Sequence, residues 1–407
     1  MSRIIAYEIL CDVKLKGQYA NLALKQLDHP HLPLITNYVY GTLQNYDFCK
    51  YQWEHLVTKK VSKPIEVLLT FSVYQHLFVD KAKDYAIVNE ALNIAKTNGF
   101  NKQIKMINAL LRIVTSNPMR EPANSDLTSN LAIRYSMPIW IVKLLVKQQG
   151  IEQAAKLLVQ FNQPPLLYLC KNPMKQQSKK YDEMLTKTEI DGCFIGQKEI
   201  LSSDFIASGY GYVQDKNAQI IVSMLQALPQ ETILDMCAAP GGKTIGMALS
   251  ANNQAKITAI DIHPSRANLI DEFASRVNVD VDVVTMDALE VTSKYDVSSF
   301  DKVLLDAPCS GLGVMRRKPD IRHHLQPTDL DQLQALQRQL LTESAKMVKP
   351  DGALFYVTCT LNKKENQDQI TWFLDNHPDF VCEYQQHFDP ITSNADGFYM
   401  AKCTKIK

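Results

Sequence analysis

No stretch of this sequence approaches the roughly 18 consecutive apolar residues that a membrane-spanning helix needs. The opening MSRIIAYEIL carries one Arg and runs straight into helix-like sequence, with no apolar signal core followed by a cleavage site. A cytoplasmic protein is therefore expected. Nine cysteines are present but none forms a Cys-x-x-Cys pair, and their odd number and irregular spacing do not suit a secreted disulfide framework. A metal site is accordingly not expected. Internal repeats and low-complexity tracts are missing, which removes solenoids and disordered tails. The two commonest phosphate cradles, Gly-x-Gly-x-x-Gly and the P-loop, are missing as well.

What remains is ordinary globular material, 46% hydrophobic and 21% charged over 407 residues, a length that implies two or three domains. The net charge of +1 conceals an asymmetry: residues 1–120 hold 15 Lys and Arg against 9 Asp and Glu, or +6, leaving −5 for the rest. A basic amino-terminal module on an acidic body suits a polyanionic partner, although a charge of this size is as often a solvated face.

Residues 1–115 read as helical throughout. Ile5, Ile9, Leu10 and Val13 share a face, and Val67, Leu68, Phe71 and Tyr74 repeat the spacing, as do Val88, Ala91, Leu92 and Ala95 before Gly99. With a further apolar face through Ile107, Leu110 and Val114, a bundle of five to seven helices is expected. SNPMREPANSDLTSN (116–130) reads as a linker, residues 131–160 return to helix, NQPP (162–165) breaks the chain, and LLYLC is a short strand. The organisation expected is a helical domain at 1–120, a small mixed α/β domain at 125–215 and a Rossmann-like domain at 216–407. In the last, TILDM, KITAI, DVVTM, KVLLD and ALFYVT alternate with helices, the rhythm of a doubly wound, mostly parallel sheet. Thr328-x-x-Asp331 predicts a capping box for a long helix, and Asn362 predicts the cap of the next.

Ligands of such a sheet bind beyond the carboxyl ends of its strands, and polar residues gather there. DMCAAPGGKT (235–244) ends the first strand. Its small residues Ala238, Ala239, Gly241 and Gly242 let a ligand approach the backbone, and the next helix points free N–H groups at it. Alone, this is a common strand-to-helix turn. Asp261 closes the second strand, where a carboxylate takes both hydroxyls of a ribose, and Asp287 follows the third, suitably placed for an adenine amino group. Two carboxylates beside a nucleoside, with no phosphate cradle, suit S-adenosylmethionine better than NAD.

LLDAPCSGLG (304–313) and YVTCTLNKKEN (356–366) end the fourth and fifth strands, so Cys309 and Cys359 are expected to line one crevice. The ordinary fate of a cysteine is to be a buried small hydrophobe; two at the catalytic edge of this fold point elsewhere. Carbon 5 of cytosine is a poor nucleophile, but a thiolate added at carbon 6 gives it enamine character, so that it can take a methyl group. Asp306 is in position to stabilise such an adduct near ring nitrogen 3. Methylation of an exocyclic amine would favour an aromatic after Pro-Pro, where Ala307-Pro308-Cys309 stands instead. On chemistry alone either thiol could attack.

Taken together, DMCAAPGGKT, LLDAPCSGLGVMRRKPDI, the Thr-Cys pair before LNKKEN and the closing DGFYMAK resemble the RNA 5-methylcytosine methyltransferases, and GYGYVQDKNAQ (209–219) resembles the entry to their catalytic domain. LVTKK, LLTFSVYQ, IVNEAL and INALLR resemble the helical RNA-binding fold of the NusB antitermination factor. That combination is similar to the bacterial 16S ribosomal RNA methyltransferase B family over nearly the whole chain. The resemblance implies Cys359 as nucleophile, Cys309 as an aid to product release, and a cofactor loop of Cys237, Ala238, Ala239, Pro240, Gly241, Gly242 and Lys243. It also implies Asp261 on the ribose, Asp287 near the adenine, Asp306 at the junction of cofactor and reaction centre, and Lys243 as a contact to the target base. Small-subunit ribosomal RNA is the implied substrate, and a monomer is expected. Three positions depart from the family pattern: Thr360 replaces the usual Ser, LPQET replaces a Pro-Gly turn, and MINALLR replaces a Phe-Val-Asn start.

Arg316-Arg317-Lys318, just past the Pro-Cys loop, are expected at the rim of the site on RNA phosphates, against the alternative of a solvated basic turn. His323 and His324 have no acidic or thiol residue at metal-ligand spacing, so no metal role is expected of them, and Trp53, Trp140 and Trp372 read as core. The competing functions are a tRNA cytosine-5 methyltransferase, a non-catalytic RNA-binding assembly factor and a small-molecule methyltransferase. Both cysteines and all three strand-end aspartates speak against loss of catalysis, and a small substrate would leave the basic helical domain unexplained.

Overall fold

The segment IEVLLTFSVYQ is apolar on all sides, the pattern of a helix at the centre of a bundle. In a computed structural model it forms the middle of a helix Lys63–Phe78 in which every residue from Ile65 to Gln75 is buried. Residues 1–80, 82–123, 125–176 and 179–406 are described. The helices Ser2–Lys16, Leu32–Gln44, Tyr46–Glu54, Asp84–Thr97 and Ile104–Ser116 pack around the central one. With Ala20–Lys25 this matches the expected bundle. Polar groups on the buried helix are all engaged: Thr70 accepts from the Trp53 indole N–H at 3.2 Å, Gln75 from Arg3 at 2.6 Å, and Glu66 meets Lys50 at 3.2 Å.

Two compact units make up the chain, Met1–Gln163 with Arg317–Leu325, and Pro164–Arg316 with Gln326–Lys407. The segment read from the sequence as a mixed domain at 125–215 is divided between them. Its helices Leu127–Arg134, Ile139–Gln149 and Ile151–Asn162 belong to the first unit, and its strands to the second. Those strands, β1 (Tyr168–Lys171), β2 (Leu185–Lys187), β3 (Cys193–Gly196) and β4 (Gly211–Val213), form an antiparallel sheet in the order β2-β3-β1-β4.

The main sheet holds β5 (Thr232–Asp235), β6 (Lys256–Asp261), β7 (Asp282–Thr285), β8 (Phe300–Asp306), β9 (Val348–Thr358), β10 (Phe380–Phe388) and β11 (Phe398–Lys405), in the order β10-β11-β9-β8-β5-β6-β7. β5 to β9 run parallel; β11 is antiparallel to β9 and β10 to β11. The order reverses at β5, which has β6 on one side and β8 on the other, and the carboxyl ends of strands at such a reversal are where sheets of this kind bind ligands. The hairpin of β10 and β11 was not foreseen. β10 exposes most of its residues along a sheet edge, so its apolar alternation is weak.

Two details correct the sequence reading. The long helix Pro327–Met347 is capped by Gln326 and Asp329 in a reciprocal box, not by Thr328 and Asp331, because Pro327 occupies its first position. Of the three tryptophans, Trp53 is core, while Trp140 and Trp372 are only half-buried. Asn362 does cap the turn that leads into the helix Gln367–Asn376.

Candidate active site

β5 stops at Asp235 because the chain must turn into the helix Gly242–Ser250. The turn is pinned at both flanks, by the Met236 N–H on Leu304 O at 2.9 Å and the Ala238 N–H on Ile260 O at 2.8 Å. Gly241 caps the helix with φ of 98°, where a Cβ would also press on Ile270 at 3.3 Å, so only glycine suits. Asp261 ends β6, buried; one oxygen accepts the His263 N–H at 3.0 Å and the other faces Arg266 at 3.3 Å. Arg266 donates in turn to Ala239 O at 3.0 Å, tying the loop to the β6 end. Asp287, half-buried after β7, accepts the Leu289 N–H at 2.9 Å. Cys237 to Lys243, Asp261 and Asp287 thus come from three adjacent strand ends. A small-residue loop, a helix N-terminus and two anchored carboxylates fit an adenosyl group with an amino-acid tail.

Lys243 stands in the first turn of that helix and its ammonium meets the Asp306 carboxylate, at the end of β8, at 2.6 Å. The same ammonium lies 5.2 Å from the ring centre of Phe398. Burial works against the charge on Lys243, but Asp306, and then Cys359 and Asp235, outweigh it and raise the lysine above its ordinary range. Asp235 is a site residue that the sequence reading passed over. It is buried and accepts from the Thr244 hydroxyl at 2.7 Å, and burial pushes its carboxyl up to about 7. Its signal was its place at the head of DMCAAPGGKT.

The two thiols lie side by side, Cys309 Sγ to Cys359 Sγ at 3.3 Å. Parallel pairing of β8 with β9 makes this possible, since it sets Asp306 opposite Val357 and carries both strands into adjacent loops. The loops touch through backbone: Ala307 N–H to Val357 O at 2.8 Å and Gly313 N–H to Cys359 O at 2.9 Å. A Cβ on Gly313 would fall 2.1 Å from Gly397 O and 2.9 Å from Cys359 O, so the close approach requires glycine. Its hydrogen bond with Cys359, with burial and the Cys359 charge adding to it, pushes the Cys309 thiol well above its ordinary range.

Of the basic triplet, Arg316 departs from the expectation. Arg316 is buried and spends its guanidinium on Pro164 O at 2.5 Å and Asn394 Oδ1 at 2.9 Å, which removes it from an exposed phosphate-binding rim. From Arg317 to Leu325 the chain belongs to the helical unit, where the half-buried His323 meets Leu43 O at 2.7 Å.

A model of the 16S rRNA methyltransferase RsmB/F family matches residues 222–404, and one of the NusB family matches residues 1–116. The chain is 34% identical to the "Probable ribosomal RNA small subunit methyltransferase B" of Bacillus subtilis, over 93% of this chain and 89% of that protein. It is 30% identical to the protein of the same name from Synechocystis, over 99% of each. The chain belongs to the RsmB/F methyltransferase family. As a member, it is an S-adenosylmethionine-dependent RNA methyltransferase with a NusB-type helical domain in front of the catalytic one. Among solved structures, that of PH0851 shares the RsmB/F chain's fold with a TM-score of 0.82 at 24% identity, covering 99% of this chain and 97% of that one. A methyltransferase homologue from Pyrococcus horikoshii matches with a TM-score of 0.62 at 25% identity, over 70% of this chain and 100% of that one.

Proposed function

We propose that this enzyme methylates carbon 5 of a cytosine in 16S ribosomal RNA, by way of a covalent bond between the Cys359 sulfur and ring carbon 6. The observation that carries the reading is the pair of sulfurs 3.3 Å apart, at the ends of two adjacent strands, beside a lysine–aspartate pair at 2.6 Å. A methyltransferase acting on an exocyclic amine has no use for two thiols.

S-adenosylmethionine supplies the electrophilic methyl group. Asp261 would hold its ribose, Asp287 its adenine, and the loop Cys237 to Gly242 its amino-acid tail. Cys359 adds to carbon 6 as the thiolate, its proton having passed to solvent, which makes ring nitrogen 3 basic. The Lys243 ammonium, oriented by Asp306, gives a proton to that nitrogen, and Asp306 accepts a hydrogen bond from the new N–H. Lys243 takes the proton back when the thiolate departs. After methylation the carbon-5 proton must leave and the Cys359 sulfur depart with the electron pair of its bond to carbon 6. In the adduct Cys359 is an uncharged thioether, so one of the influences that raise the Cys309 thiol is removed, while burial remains. Once its own proton has passed to solvent, the Cys309 thiolate takes the carbon-5 proton. The recessed thiols require a target base that is single-stranded or unstacked, and the NusB-type domain, together with relatives named for the small ribosomal subunit, supports ribosomal RNA as the substrate.

RNA carrying 5-fluorocytidine tests the covalent step, because fluorine cannot leave as the proton does. A trapped complex is expected with the wild type, none with Cys359→Ala, and accumulation on ordinary RNA with Cys309→Ala. The reverse pattern exchanges the two roles. Methyl transfer to unmethylated 16S RNA compared with tRNA, followed by mapping of the base, tests the substrate; tRNA as the better acceptor overturns the ribosomal assignment.

A further inference from the structure

Glu365 is fully buried, 0% exposed, in the short turn that follows Cys359. Both its oxygens accept hydrogen bonds, and the donors come from both cysteine loops. One oxygen takes the Ser310 hydroxyl at 2.6 Å and the Asn362 amide at 3.0 Å. The other takes the Ser310 N–H at 2.8 Å and the Gln337 amide at 3.3 Å. Gln337 also donates to Pro308 O at 3.0 Å, on the far side of Cys309. Ser310 directly follows Cys309, Thr360 directly follows Cys359, and the hydroxyls of these two successors meet at 2.7 Å. Residues on either side of one thiol, and residues just past the other, are therefore tied to a single carboxylate.

We infer that Glu365 is a positioning residue for the two thiols: its carboxylate clamps the Pro308–Ser310 turn to the segment after Cys359 and thereby sets the separation of the sulfurs. No neutral side chain of the same length reproduces this. An amide at 365 turns an N–H₂ toward the Ser310 N–H in one orientation and toward the Asn362 amide in the other, donor against donor, and aspartate is a methylene too short to reach both loops. The same negative charge also helps to keep Cys309 protonated until it is needed. The catalytic consequence rests on the covalent reading above; the geometric one does not.

The test has two arms, both on the full-length protein, with melting curves showing that the Glu365→Gln variant is folded. Diamide, which oxidises two thiols within bonding reach to a disulfide, reads the geometry without RNA. Formation of the Cys309–Cys359 disulfide, followed by mass spectrometry, is expected to be at least tenfold slower in Glu365→Gln than in the wild type. Equal rates overturn the proposal. In turnover with S-adenosylmethionine and unmethylated 16S RNA, Glu365→Gln is expected to lose at least tenfold in kcat at unchanged KM for RNA and to accumulate the covalent complex as Cys309→Ala does. A variant that turns over within twofold of wild type, or that slows without the complex while Cys309→Ala shows it, also overturns the proposal. Failure of Cys309→Ala itself to accumulate a complex strikes the covalent reading, and the diamide rates then decide the positioning role alone.

Discussion

Replacing Asp306 with asparagine keeps the shape of the side chain and removes its charge, which separates the two things the carboxylate does. It neutralises Lys243, whose side chain is 12% exposed, across 2.6 Å; Asp306 itself is 31% exposed. A charge-assisted hydrogen bond contributes about 1.5–3 kcal/mol, and the partial exposure of Asp306 brings this to the lower end, about 1–2 kcal/mol. For a unit of this size that lowers the melting temperature by roughly 3–6 °C. The catalytic effect should be larger. A fixed group aimed at charge that develops during reaction is worth about 10²–10³ in kcat, so Asp306→Asn should lose at least a hundredfold. The pH dependence has a definite sign. Lys243 titrates above its ordinary 10.5 in the folded protein, so the stabilisation is fully present below 10.5 and fades as pH rises through the folded value. The gap in melting temperature between wild type and variant should therefore be constant from pH 7 to 10 and close above that. A variant within tenfold of wild-type kcat would refute the assignment of Asp306 to the reaction centre.

Asp235→Asn should raise stability at pH 8 by up to roughly 4 kcal/mol and little at pH 4. A carboxyl raised from 3.8 to about 7 by burial stabilises the fold below 3.8 and loses that contribution as pH rises through 7, which thermal melts at the two pH values will read. Gly313→Ala should cost at least a hundredfold in methyl transfer while leaving the helical unit's melting unchanged, because backbone oxygens at 2.1 and 2.9 Å cannot yield to a Cβ without parting the two cysteine loops. Arg322→Met should destabilise the helical unit by about 1–3 kcal/mol, the cost of buried acceptors left without a donor, or roughly 2–12 °C, measured by circular dichroism. The buried guanidinium donates to Gln44 O at 2.9 Å, Tyr135 O at 3.0 Å and Asn162 Oδ1 at 3.1 Å, at the carboxyl ends of three helices whose dipoles favour a cation.

Much of the architecture was legible because it rests on local pattern. The all-round apolar run at 65–75 announces a central helix, and the alternation of short apolar strands with polar turns announces the parallel sheet. The strand-end residues stood out for the same reason: Asp261, Asp287, Asp306, Cys309 and Cys359 each lie at, or within three residues of, the end of a recognisable strand. Less was legible where a residue's role depends on what surrounds it. Arg316 read as a phosphate contact and Arg322 drew no reading, yet both are buried and bonded to carbonyl oxygens. Glu365 drew no reading of its own, and its carboxylate joins the turn after Cys359 to Ser310, 55 residues away in sequence. The edge strand β10 gave too weak an alternation to be noticed.

Sequence alone therefore determined which chemical groups stand at the carboxyl ends of the strands, since the period of a strand and the residues of a turn are properties of a few neighbouring positions. Only the tertiary structure decided how far apart those groups lie and which of them are dry. Pairing of β8 with β9 brings together sulfurs 50 residues apart; the neighbouring Cys359 then raises the Cys309 thiol, Asp306 raises Lys243 against its burial, and burial raises Asp235. Distance and solvation are sums over the whole surrounding fold, and no short window of sequence contains them.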